Sequence, residues 1–93
     1  MIPAGYETIT FENITLYRSE DNWVVENDRD NDIQLVITRR IDWKDEAEVV
    51  TFTVEVKAYS QGNMNADEAM EFGLDVTKKA LQAKRLQAFI DNN

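Results

Sequence analysis

The last third of the chain constrains everything before it. From Asn65 to Ile90 apolar residues recur at helical spacing in two rows. One row is Ala66, Met70, Leu74, Thr77 and Leu81; beside it run Ala69, Phe72, Gly73, Val76, Ala80 and Ala83. Asn65 can accept from a first-turn amide as N-cap, and Glu68 can reach back to complete a capping box. Asp67, Glu68, Glu71 and Asp75 fill the first half, and Lys78, Lys79, Lys84 and Arg85 fill the second, as the helix dipole favours. One helix over 65–90 follows. At about 1.5 Å per residue it runs for roughly 39 Å, longer than a small sheet is wide, so it overhangs what it covers.

Upstream the period changes from helical to two. Strands are expected over 6–11, 14–19, 23–27, 33–43 and 49–60. Ile9 and Phe11 give way to Ile14 and Leu16, and this change of parity requires a turn or bulge at Glu12-Asn13. Trp23 and Val25 continue the inward face. In the two long strands Ile33, Leu35, Ile37, Ile41 and Trp43 share one face, as do Val50, Phe52, Val54, Val56 and Ala58. They pair as a hairpin. Strands first and helix last give an α+β domain: an antiparallel meander of four to five strands in a single sheet, with the C-terminal helix packed on one face. The face beneath it is expected to be Ile33, Leu35, Ile37, Phe52, Val54 and Val56.

With 93 residues, 43% of them hydrophobic and 30% charged, residues 1–93 form one folded domain with one modest core. No cysteine and no histidine is present. The commonest nucleophile, general base and transition-metal ligands are therefore missing, and neither an enzyme nor a cofactor is expected. Met1-Ile2-Pro3-Ala4-Gly5 has no basic region and no apolar run, and no segment approaches the ~20 apolar residues of a membrane helix, so the expected location is cytoplasmic, away from membranes. A net charge of −8, with an isoelectric point near 4.4, repels phosphate backbones and excludes nucleic acid as a direct ligand.

Several constellations invite a chemical reading and fail it. Asp28-Arg29-Asp30-Asn31-Asp32 opens like a calcium loop, but Ile33 stands where the glycine belongs and Arg39 where the bidentate glutamate should be. Arg39 interrupts the apolar face between Ile37 and Ile41 and is expected to pair with Glu71 or Asp75. Trp23 and Trp43 fall on inward faces and read as core anchors. Tyr17 and Tyr59 fall on the outer face with Thr15, Val24, Val36, Thr51 and Thr53, an alternative surface for a partner.

The acids are not spread evenly. In a meander, Glu20 and Asp21 come to the same sheet end as Asp42, Asp45, Glu46 and Glu48, and these six form the candidate partner site. The function this supports is a small non-enzymatic protein-binding module, a phage-type inhibitor in kind, that occludes a basic surface on a nucleic-acid-handling partner. A structural subunit of a virion-type assembly is the alternative. An apolar arc of about 200° exceeds the roughly 100° that one sheet covers. The surplus row of Phe72, Val76, Ala83, Leu86 and Ile90 is therefore expected to form a homodimer.

Overall fold

The computed structural model describes residues 6–19, 21–26, 33–59 and 62–92. Strands β1 (Glu7–Phe11), β2 (Ile14–Ser19) and β3 (Asn22–Glu26) form one antiparallel sheet, β4 (Ile33–Lys44) and β5 (Ala47–Ala58) form a second, and α1 (Ala66–Asp91) closes the chain. The α+β order of strands and helix is as the sequence implies. The single sheet is not: the meander divides between β3 and β4, which lie side by side without joining their ladders. Glu20, Asn27, the Asp28–Asp32 run, Ser60 and Gln61 lie outside the described residues.

Two-residue turns set the registers. Phe11 pairs with Ile14 and Ile9 with Leu16, so the parity change at Glu12-Asn13 keeps all four side chains on one face. Leu16 pairs with Val25, and Arg18 with Trp23, which brings Trp23 onto the same face beneath the Arg18 guanidinium, 5.0 Å from the ring centre. Opposite this sheet stand Leu35 and Ile33, both buried, with Ile37, Val54, Val56 and Phe52 half-buried. The helix supplies the third side through Ala83, Leu86 and Ile90. Leu16 and Leu86 are wholly buried, and Phe89 meets both Phe11 and Trp23, with ring centres 5.1 and 6.4 Å apart.

The N-terminus of α1 is built as its residues dictate. The Asn65 side chain accepts from the Glu68 amide at 2.8 Å, and Glu68 accepts from the Asn65 amide at 3.4 Å. Further on, Arg85 makes a two-pronged contact with Glu12, both bonds 2.9 Å, and the Gln82 amide donates to Asn13 at 2.9 Å. The β1–β2 turn is thus strapped to the helix.

Helix and hairpin are offset rather than superposed. Gln82 lies near Ile33, at the open end of the hairpin, whereas Gln87 bonds the backbone of Phe52 and Val54. The helix therefore runs towards the hairpin tip and ends four residues past Gln87, about 6 Å further on. Its first half overhangs one end of the core, and the distal half of the hairpin overhangs the other. The molecule measures 51 × 34 × 22 Å with a radius of gyration of 15.7 Å. A compact domain of this length has about 12 Å.

The offset overturns several expectations. Trp43 is not a core anchor: it is 74% exposed, since parity fixes its face but the helix stops short of it. Ile41 and Val50 are exposed for the same reason. Arg39 is exposed and makes no ion pair with Glu71 or Asp75 among the described residues, because the helix half that carries those acids lies at the other end. Ala83, Leu86 and Ile90, expected at a dimer interface, are core residues of the single chain. The row that remains outside is Met70, Leu74 and Leu81.

Candidate functional site

Beyond Phe52 the hairpin is a free arm. Its register pairs Arg39 with Phe52, Ile41 with Val50 and Trp43 with Glu48 on one face, and Arg40 with Thr51, Asp42 with Val49 and Lys44 with Ala47 on the other. Asp45 and Glu46 turn the chain at φ 52° and 63°, the left-handed conformation that a two-residue hairpin turn demands and that glycine or asparagine adopts most readily. Charge has been kept at a turn position where conformational preference favours other residues.

The tip therefore presents one large indole among carboxylates. Trp43 is flanked by Asp42, Asp45, Glu46 and Glu48, with Lys44 as the one cation between 42 and 48. Asp42 is bound to Arg40 across 3.1 Å, a solvent-exposed pair that contributes little to stability. Among the described residues no three acids converge closely enough to hold a metal ion. What the arrangement offers is an aromatic surface for burial and a field that attracts cations.

The structure separates the acids of the candidate site that lie among the described residues. Asp21 closes β2 to β3 in the three-stranded sheet, and the hollow between β3 and β4 reaches along the hairpin only to Ile37. The Asp45-Glu46 turn is eight residues past Ile37, roughly 25 Å along an extended strand. Asp42, Asp45, Glu46 and Glu48 remain together; Asp21 does not join them, and Glu20 lies outside the described residues. The tyrosines are divided too. Tyr17 is half-buried in the first sheet against Tyr6, ring centres 5.6 Å apart, while Tyr59 follows β5 and lies 5.2 Å from the Lys57 ammonium.

Hollows lined by described residues accompany the core. One of about 300 Å³ is lined by Asn13, Ile33, Asp75, Lys78, Lys79, Gln82 and Arg85; another, about 340 Å³, separates β3 from β4. Glu12 is held below its ordinary value of 4.5 by its hydrogen bond to Arg85, whose own pKa is raised by the same bond. That perturbation belongs to a structural strap.

The sequence had pointed at the acids of the tip but not at its tryptophan, since alternation cannot tell a covered face from a bare one. The exposed helix row was visible as one of two. Lys79 and Gln82 on the buried side disguised which row faced inward. Among the described residues no helix is long and apolar enough to cross a membrane. The chain matches no protein family, no curated protein and no solved structure.

Proposed function

We propose that this chain is a non-enzymatic protein-binding module whose hairpin tip docks on a basic surface of a larger partner. The observation that carries this reading is the position of Trp43, 74% exposed at the end of a projecting arm, paired across the hairpin with Glu48 and next to the acidic Asp45-Glu46 turn. Tryptophan is the residue type whose burial most often anchors an interface, and a surrounding rim of one charge steers encounter with the opposite charge. A protein with a net charge of −8 meets a nucleic-acid-handling partner on the partner's basic surface rather than on the nucleic acid. Covering that surface would inhibit it. The reading makes the protein an occluding inhibitor that acts in the cytoplasm without cofactor or catalysis.

The assembly-subunit reading has its own support in the bare row of Met70, Leu74 and Leu81, which a symmetric oligomer would cover. The two readings use different surfaces, so one experiment separates them. Immobilised parent and an Asp45→Lys, Glu46→Lys, Glu48→Lys variant are compared for capture of proteins from the source cell's lysate, with circular dichroism confirming that both fold. The docking reading requires a basic protein held by the parent and lost by the variant, with association slowed by salt. Equal capture by both would move the site away from the tip, to the faces around Tyr17 and Tyr59.

A further inference from the structure

The helix carries two seams. Ala83, Leu86 and Ile90 turn towards the core, with Phe72 and Val76 half-buried on the same side; on the opposite side Met70, Leu74, Thr77 and Leu81 recur at alternating intervals of four and three, the spacing of a coiled-coil seam. Met70, Leu74 and Leu81 are 68, 61 and 52% exposed. Thr77 belongs with them, because its hydroxyl is already spent on the Gly73 carbonyl at 2.9 Å and its methyl is the group left to pack. Flanking this seam, Gly73 sits in mid-helix, and apart from its chain neighbours and the helix's own backbone nothing lies within 4 Å of where a β-carbon would be. Nothing among the described residues requires glycine there, and the helix is weakened by it.

We propose that this face binds the same face of a second copy, as an antiparallel pair of α1 helices related by a two-fold axis that passes between Asp75 and Val76. This surface is separate from the hairpin tip, and the proposal does not depend on the tip's role. Charge decides the occupant and its direction. The exposed acids Asp67, Glu68, Glu71 and Asp75 lie in the first half, and the exposed cations Lys78, Lys84 and Arg85 in the second. A parallel pair would stack Asp67 on Asp67 and Lys84 on Lys84 within the seam. The antiparallel pair layers Asp67 on Lys84 of the second copy, Met70 on Leu81 and Leu74 on Thr77, each layer made twice by the symmetry.

The flanks agree with the seam. On one side Glu71 comes beside Lys78 of the second copy, an attractive pair. On the other Gly73 comes beside Ala80 of the second copy, and two small residues let the backbones approach closely. The glycine thereby acquires a reason that the single chain lacks. Because each helix points towards its own hairpin tip, the antiparallel pair directs the two tips to opposite ends of the dimer.

Sedimentation velocity across a concentration series up to about 100 µM tests the pair, since a short seam of this kind implies micromolar association. The parent is expected to dimerise. Glu71→Lys should raise the dissociation constant about tenfold or more by opposing Lys78 of the second copy, as should Lys78→Glu. The double variant Glu71→Lys, Lys78→Glu should recover parental affinity, because the pair is restored in reverse. Gly73→Ala should raise the melting temperature of the monomer while weakening the dimer. All three positions are exposed, and circular dichroism checks that helix content is kept. A parent that is monomeric throughout the series overturns the proposal. So does a double variant no better than the single ones, or a Gly73→Ala variant that dimerises as the parent does.

Discussion

Gln87 completes the edge of β5 at Val54. Its Oε1 accepts from the Val54 amide at 2.7 Å, and its Nε2 donates to the Phe52 carbonyl at 2.9 Å, so one side-chain amide occupies the place of a neighbouring strand. Among the described residues β5 has no strand partner besides β4. An open strand edge is a template for unwanted pairing, and the helix closes this one at its centre. The Gln87→Leu variant keeps the volume and removes both bonds, together with the one that Nε2 donates to Asp91 at 3.1 Å. It should lose about 1–3 kcal/mol in urea denaturation, the cost of leaving part-buried backbone groups unpaired, with faster hydrogen exchange at the Val54 amide.

The strap between Glu12 and Arg85 predicts a dependence on pH. Arg85 lowers the Glu12 pKa in the folded chain, so the strap's stabilisation is present above the unfolded carboxylate value and is lost as pH falls through the lowered one. Both partners are solvent-exposed, so the effect is small and falls with salt. In low salt, melting temperatures of the parent and Glu12→Gln should differ at neutral pH and converge under acid. Curves that stay parallel through the acid range would mean that the pair contributes nothing.

The hairpin turn predicts a gain in stability. Asp45 and Glu46 both hold positive φ, which costs an L-residue about 1–2 kcal/mol unless its side chain bonds locally. Replacing Asp45 by Asn and Glu46 by Gly gives the turn its favoured sequence and should raise stability by about 1 kcal/mol. The same change removes two of the four tip carboxylates and should weaken docking on a basic partner. A variant that is more stable yet binds less well is the signature of a turn kept acidic for recognition.

How far these features could be read from the sequence depends on whether each is local or tertiary. The Asn65–Glu68 capping box, the two-residue turn between Phe11 and Ile14 and the hairpin pairing of Ile37 with Val54 are local or nearly so, and the pattern specifies them. The break between β3 and β4, the strap from Glu12 to Arg85 and the edge bond of Gln87 depend on where a 26-residue helix comes to rest along a hairpin of two 12-residue strands. Nothing in a period of two or of 3.6 records that offset. Trp43, Met70 and Leu74 look like core residues because they follow the same alternation as core residues. Only the overhang exposes Trp43, whereas Met70 and Leu74 lie on the helix face that points away from the core.

The core itself should respond sharply at the centre and weakly at the rim. Leu86 is wholly buried between the sheets, and Leu86→Ala should cost about 2–5 kcal/mol, a large part of the stability of so small a domain. Phe52 is only half-buried at the start of the free arm, so Phe52→Ala should fall below the roughly 3–5 kcal/mol of a fully buried phenylalanine. Thermal or urea melts that rank the two the other way would place the helix further along the hairpin.

The two tryptophans give the free arm a spectroscopic signature. Trp23 is 4% exposed beside Phe89, and Trp43 stands in water at the hairpin tip. Emission of the parent should therefore be a sum of a blue-shifted and a red-shifted component, with only the second quenched by a soluble collider. Trp43→Phe should remove the quenchable component and leave the melt within about 0.5 kcal/mol of the parent, as expected for a surface substitution away from packing. Trp23→Phe should remove the blue component and destabilise the fold, since a smaller ring leaves space in a packed core. When a basic partner docks on the tip, the red component should shift to the blue and become protected from the quencher. A partner that binds while Trp43 stays fully quenchable would show that the arm is not the docking element, whatever its charge.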